Sequence, residues 1–298
     1  MVKKIAFVVA TKDRPSDLRR MLASVSEQSC RPSQIVIVDA SAEPVKRIMG
    51  EFSNLNIIYI YQTMPSASAQ RNVGIRAVDE NVDLIGFLDD DIILESSAVE
   101  AMMRFWNEAP KDVCGCGFNL KNFEPSGNEG MKYSFLAQWL GLYSKEPGII
   151  TKSGWQTMIG TVNRDMYVQW LPSTASVWKK KLFESFTFDE YFEGYSYLED
   201  LDFSFSVSSK CKLAVVADAG FYHYPSSSGR ISAYQFGKIE VRNRLYIVRK
   251  HHLSLLRCYA GILIRLLLTL GLTVRTGESG YLYRAFGNCT GMIQSIFR

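Results

Sequence analysis

Apolar residues gather in short unbroken runs at 5–10 (IAFVVA), 35–38 (IVIV), 57–60 (IIYI) and 84–88 (LIGFL). Runs of this length, rich in β-branched residues and without alternation, predict strands buried on both faces. Between them the period changes. In "RPSDLRRMLASVSEQ", Leu18, Met21, Leu22 and Val25 recur on one helical face, and Pro15 suits a helix start. "SASAQRNVGIRAV" (66–78) and "SSAVEAMMRFWNE" (96–108) predict two further helices. In the second, Ser97 and Glu100 have capping-box spacing. Strands that alternate with helices predict an α/β domain, a mostly parallel sheet with helices on both faces. Residues 110–170, rich in Gly, Asn and aromatics, predict loops and short strands, with a second α/β portion running on to about 225. In such sheets ligands bind beyond the carboxyl ends of the strands. Asp39 ends the second strand there, and Asp89, Asp90 and Asp91 end the fourth.

The length of 298 residues, with 47% hydrophobic and 21% charged, suits one large domain or one domain plus an extension. The net charge of +4 is unevenly spread. From Lys238 to Arg275 there are eight Lys/Arg against one acid, Glu240, so charge-selected partners belong to the C-terminal segment. The domains predicted are therefore 1–230 and a basic, apolar helical extension over 231–298. Six cysteines without metal-ligand spacing read as small apolar filler in a reduced compartment. The N-terminal "MVKKIAFVVATKDRP" has too short an apolar run for a signal peptide and reads as a first strand, which predicts that this end of the chain stays in the cytoplasm.

Four segments carry candidate chemistry. Asp89-Asp90-Asp91 is either a solvated turn or a site for a hard divalent cation, which takes carboxylates plus substrate phosphates. Glu199, Asp200 and Asp202 in "YSYLEDLDFSFSV" are either an acidic first helical turn or a general base whose pKa its apolar company raises. His223, beyond the apolar run Leu213–Ala217, is a structural histidine or the completion of a metal shell. Arg71, early on a helix, would hold a diphosphate or make a surface ion pair. No P-loop and no G-x-G-x-x-G follows a strand, so nucleotide phosphates would need a metal.

Together, in this order, these segments resemble family 2 glycosyltransferases of the GT-A fold over roughly residues 3–225. The resemblance is carried by "VVATKDRPSDLRRMLASVSEQ", "IVIVDAS", "SASAQRNVGI", "FLDDDI" and "FDEYFEGYSYLEDLDFSFSV". It implies Asp39 on the nucleotide base and Thr11, Arg14, Arg71, Asp89 and Asp90 on the donor. It further implies Asp91, Asp89 and His223 around Mg²⁺ or Mn²⁺, and Asp200 as catalytic base beside Glu199. "VDAS" lacks the family's second acid and Gly. Ser173, Thr174 and Trp178 stand where a Gly and an Arg are frequent, and Ser206 stands where an Arg often follows the Glu-Asp pair.

The function implied is an inverting, metal-dependent transfer of a sugar from a UDP- or dTDP-linked donor to a glycan or lipid-linked hydroxyl in cell-surface polysaccharide synthesis, with no nucleic-acid partner. Two rivals use the same residues. One is a catalytically idle, membrane-bound scaffold or saccharide-binding relative; the other is a metal-dependent nucleotidyltransferase. The segment 251–275 is long enough to span a bilayer but is interrupted by Arg257 and Arg265. It would span, pack on the domain, or lie in the interface of an anionic membrane. The interface is preferred, which predicts a peripheral protein on the cytoplasmic face.

Overall fold

The computed structural model describes residues 3–124, 134–226 and 231–296. The chain divides into two compact units, 1–125 with 159–229 and 126–158 with 230–298.

The first unit is built on a nine-stranded sheet. Its strands are β1 (Ile5–Thr11), β2 (Gln34–Asp39), β3 (Ile57–Tyr61), β4 (Leu84–Leu88), β5 (Ile92–Leu94), β6 (Val113–Leu120), β7 (Met166–Val168), β8 (Ala175–Lys179) and β9 (Lys212–His223). They lie in the order β3-β2-β1-β4-β8-β6-β9-β5, with β7 on β9. The half made of β3, β2, β1 and β4 is parallel, as the apolar runs predict. Beyond β4 the sheet is mixed: β8 runs antiparallel to both β4 and β6, and β5 and β7 run antiparallel to β9. Only β6 and β9 are parallel in that half.

Alternate residues of each strand face opposite sides, and both sides are buried. Ile5, Phe7, Val9, Ile35 and Ile37 pack with Leu18, Met21 and Leu22 of α1 (Pro15–Ser26) and with Val99, Met102 and Trp106 of α3 (Ala98–Glu108). Ala6, Val8, Val36, Val38, Ile85 and Phe87 pack on the other side with Phe203 and Val207 of α5 (Glu199–Ser208). Val73 of α2 (Ala67–Arg76) lies against that second core. Gly74 is why α2 can lie so close: a Cβ there would overlap Val8 Cγ1.

Two local expectations change. Ser97 precedes α3 but makes no side-chain cap, and Glu100 instead accepts from Ser29 Oγ (2.6 Å). Cys114 and Cys211, read from the sequence as unpaired, are joined as a disulfide that ties β6 to the start of β9 (Cα–Cα 6.0 Å).

The second unit combines α4 (Phe135–Trp139), α6 (Ala233–Lys250), α7 (Leu255–Thr276) and α8 (Ser279–Ile296). Its core joins Leu142 and Trp155 to Val241, Leu245, Val248, Cys258 and Ile262. Trp155 is central. The guanidinium of Arg244 lies over its ring at 4.1 Å and that of Arg265 at 4.8 Å. Buried Glu240 accepts from Arg284 at 2.8 and 3.1 Å and pairs with Arg265 at 3.6 Å. Part of the irregular 110–170 stretch, 125–133, lies outside the described residues.

Candidate active site

The carboxyl ends of β1 and β4 bring Thr11 and Arg14 to the acids. Thr11, the last residue of β1, donates its hydroxyl to Asp90 Oδ2 at 2.7 Å. Arg14, one residue before α1, donates Nη1 to Asp90 Oδ1 at 3.1 Å and to Asp91 Oδ2 at 3.4 Å. Burial pushes the Asp90 carboxyl up to about 7, against the pull of Arg14 and Thr11. Asp91 goes the other way. Burial opposes its charge, but His223, the Ser226 amide and Arg14 together hold its carboxyl below the usual range.

His223 and Asp91 meet because β5 and β9 are paired, with Ile92 opposite His223. His223 Nε2 lies 3.1 Å from Asp91 Oδ1, and the Ser226 amide donates to Oδ2 at 3.1 Å. Among the described residues, no three His, Cys, Asp or Glu side chains group in an arrangement that could hold a metal ion. The donor set is thus a carboxylate and an imidazole. That suits a hard cation whose remaining ligands are substrate phosphates and water.

Asp89 points elsewhere. Its backbone N–H donates to Thr174 O (2.9 Å), and its Oδ1 accepts from Arg71 Nη2 at 3.1 Å. Arg71 is buried beside the Phe188 ring, and its Nη1 donates to Glu199 Oε1 at 2.5 Å. One guanidinium therefore links the acids after β4 to the acids that open α5. Asn72, the next residue, holds the far wall by bonding both the backbone N–H and C=O of Phe188 and the Glu190 carboxylate.

Glu199 and Asp200 are the first two residues of α5. The turn that delivers them contains Ser196 (φ 48°) and Leu198 (φ 74°), both left-handed without being glycine. Such residues cost on the order of 1–3 kcal/mol each and concentrate where geometry is functional. Burial lifts the Glu199 carboxyl to about 8, with the neighbouring Asp200 charge adding to it and Arg71 opposing it. Burial also raises Asp200, whose Oδ1 accepts from the Leu201 amide at 2.7 Å. Arg71 is the buried cation that opposes both shifts. Asp202 is buried one turn further in.

Asp39 is not part of this cluster. It is fully buried, with Oδ1 accepting from the Ser41 amide (2.8 Å) and Oδ2 from the Val45 amide (2.9 Å) and the Tyr59 hydroxyl (2.5 Å). Sequence reasoning missed Tyr59, Ser226 and Gln70. The side-chain amide of Gln70 donates to both Thr11 O and Val38 O, pinning α2 to two strand ends. A glutamine one position before Arg71 was the available signal. Ser206, noted as a departure, donates its hydroxyl back to Asp202 O (2.8 Å).

The comparisons with known proteins agree with this architecture. The model of the family "Glycosyl transferase family 2" matches residues 6–161. That span contains Thr11 to Asp91 and stops short of Asp200 and His223. No curated protein compared matches the chain. Among solved structures, S. aureus TarS 1–349 in complex with UDP-GlcNAc is similar, with 15% identity and a TM-score of 0.54 over 82% of this chain and 66% of that one. The chain spans only 39% of the longer TarS structure. The mannosyltransferase PcManGT from Pyrobaculum calidifontis, in complex with GDP-Man and Mn²⁺, aligns over 98% of this chain and 88% of its own (11% identity, TM-score 0.56). GalNAc-T7 with UDP, GalNAc and Mn²⁺ aligns over 83% of this chain and 48% of its own (13%, 0.62). At these identities the likeness is one of fold, the GT-A fold, and the family is carried by the sequence match over more than half the chain. The chain belongs to glycosyl transferase family 2.

Proposed function

We propose that the protein transfers a glycosyl group, with inversion, from a UDP- or dTDP-linked sugar to a hydroxyl of a saccharide or lipid-linked acceptor. The observation that carries this reading is the chain of contacts Asp89–Arg71–Glu199, with Asp200 next in sequence. It couples the donor-side acids to a carboxylate pair whose proton affinity is raised. A carboxyl raised toward neutrality suits removal of a proton from an acceptor hydroxyl. In this reading Asp200 takes that proton while the acceptor oxygen bonds to the anomeric carbon. The bond from that carbon to the diphosphate breaks on the opposite face, and a nucleoside diphosphate leaves. One base without a second nucleophile supports inversion. Arg71 keeps Glu199 and Asp89 in register, and the charge of Asp200 helps keep the proton on Glu199.

Thr11, Arg14 and Asp90 form the donor-side wall. Asp39 shapes the base end through the 41–45 loop that it braces. Asp91 and His223, with Asp89 near, would hold Mg²⁺ or Mn²⁺, which supplies positive charge to the leaving diphosphate. The Mn²⁺-bound solved structures support a divalent cation, and the UDP- and GDP-linked ligands named with them support a nucleotide-sugar donor. The experiment is a screen of UDP-, dTDP- and GDP-sugars with Mn²⁺, scoring nucleoside diphosphate release by wild type and by Asp200→Asn. Release that the substitution abolishes supports the reading. Pyrophosphate would mean nucleotidyl transfer, and binding without release would mean a catalytically idle relative.

A further inference from the structure

Helix α7 presents an apolar line that no described residue of its own unit covers. Leu256, Ala260, Leu263, Leu267, Leu270 and Val274 are spaced alternately four and three residues apart. At about 100° per residue this spacing keeps them on one side of the helix. The five large side chains of that line are 37–88% exposed. The opposite side is the packed one: Cys258, Gly261, Ile262 and Thr269 are buried there. Gly261 admits the Trp155 indole, which a Cβ would strike. Arg265 also lies on the packed side, half a turn from the line, where it pairs with Glu240 and stacks on Trp155.

Three arrangements compete for such a helix, and charge and packing separate them. A bilayer-spanning α7 has the length, 22 residues. It would, however, have to take Arg265 from Glu240 and Trp155 into hydrocarbon, where an unpaired arginine is costly. A coiled coil with a second copy would use the four-three spacing. Pairing of that kind is steered by opposite charges flanking the seam. The charges of α7 are Arg257, Arg265 and Arg275, with no acid, so a second α7 offers them no counter-charge. The exposed apolar surface is also wider than a two-residue seam, because Leu268 flanks it. A broad apolar face with arginines at its flank fits an anionic lipid surface, into which the leucines sink while Arg257 and Arg275 meet headgroups.

We infer that α7 is a membrane-docking helix that lies flat on anionic lipid through Leu256, Leu263, Leu267, Leu270 and Val274, with Arg265 anchoring its other side to the second unit. The inference is independent of the glycosyl-transfer reading, because its test uses neither donor nor acceptor. Full-length protein is mixed with phosphatidylcholine vesicles, with or without phosphatidylglycerol, and sedimented. The result expected is binding to the anionic vesicles that exceeds binding to neutral ones and drops in about 0.5 M salt. The variant Leu263→Gln/Leu267→Gln/Leu270→Gln should bind about tenfold more weakly or worse while keeping the wild-type far-ultraviolet circular dichroism. A second variant, Arg257→Gln/Arg275→Gln, leaves the line intact and should lose the preference for anionic lipid. No vesicle binding by folded wild type would overturn the inference. So would a dimer in sedimentation velocity that the triple variant dissociates, or bound protein that resists alkaline carbonate, which would mean a span.

Discussion

At the scale of single residues the site is an arrangement of too many acids around too few cations. Asp89, Asp90, Asp91, Glu199 and Asp200 share Arg14, Arg71 and a partly exposed histidine. Three outcomes follow. Asp91→Asn should abolish Mn²⁺-supported turnover and weaken Mn²⁺ binding, read by calorimetry, with the melting temperature little changed. Full activity of that variant, or of wild type in EDTA, would rule out Asp91 as a metal ligand. Asp200→Asn should lower the rate by about 10²–10⁴, the usual worth of a positioned base, with donor affinity nearly unchanged. An Asp202→Asn variant that was the inactive one instead would shift the register of this motif. The third outcome is a pH dependence of stability. The Glu199 carboxyl is raised from an ordinary 4.5 to about 8, so the folded state holds its proton more tightly than the unfolded chain does. That contribution is complete below about pH 4.5 and is lost as pH rises through about 8. Melting temperature without metal should therefore fall from pH 5 to pH 8, and Glu199→Gln should flatten the fall. A slope unchanged by that substitution would assign the dependence to another group.

At the scale of elements, the motifs work because of how helices meet strands. The Arg-Asn-x-Gly stretch is a single device. Gly74 lets α2 close on β1, Gln70 fixes it to the ends of β1 and β2, and Arg71 and Asn72 then reach α5 and the 188–190 segment. Gly74→Ala should destabilise the protein by about 1–3 kcal/mol through overpacking against Val8, measured by urea unfolding. Because it would also displace Arg71, activity should fall further than stability alone explains. An alanine variant with wild-type midpoint and turnover would show that the helix has room to spare. The parallel half of the sheet was legible because continuous runs such as IAFVVA and LIGFL are what doubly covered strands require. The antiparallel β8 was not, since ASVWK, buried like its neighbours, carries no mark of direction. β5 has only three residues and follows directly on the acids, so the sequence there reads as a turn. His223 and Asp91 are 132 positions apart, and their contact depends on the β5–β9 register, which no local pattern reports. The acids that open α5 were legible as a cluster in apolar company, but the left-handed Leu198 just before them was not.

At the scale of the whole molecule, each unit draws on distant stretches of chain. Trp155 belongs to the core of the C-terminal helices, although α6 begins 78 positions after it and α7 100. The basic charge south of Lys238 was visible in the sequence. Its division between an anchor at Arg265, paired with buried Glu240, and flanking arginines on α7 was not, because that division depends on where Glu240 and Trp155 lie.

The position of β8 has a consequence for how the chain is made. β4 has β1 on one side and β8 on the other, and β8 is also what connects β4 to β6. When a ribosome has released only the first 125 or so residues, β1 to β4 have every partner they need except that one. Leu84 to Leu88, wholly apolar, then form an open edge with unfilled backbone donors and acceptors, the kind of edge that recruits strands from other chains. The wait lasts until residue 179 emerges. During synthesis that edge is therefore open to pairing with other chains, and fragments ending between 125 and 170 should collect as insoluble material while the full chain does not.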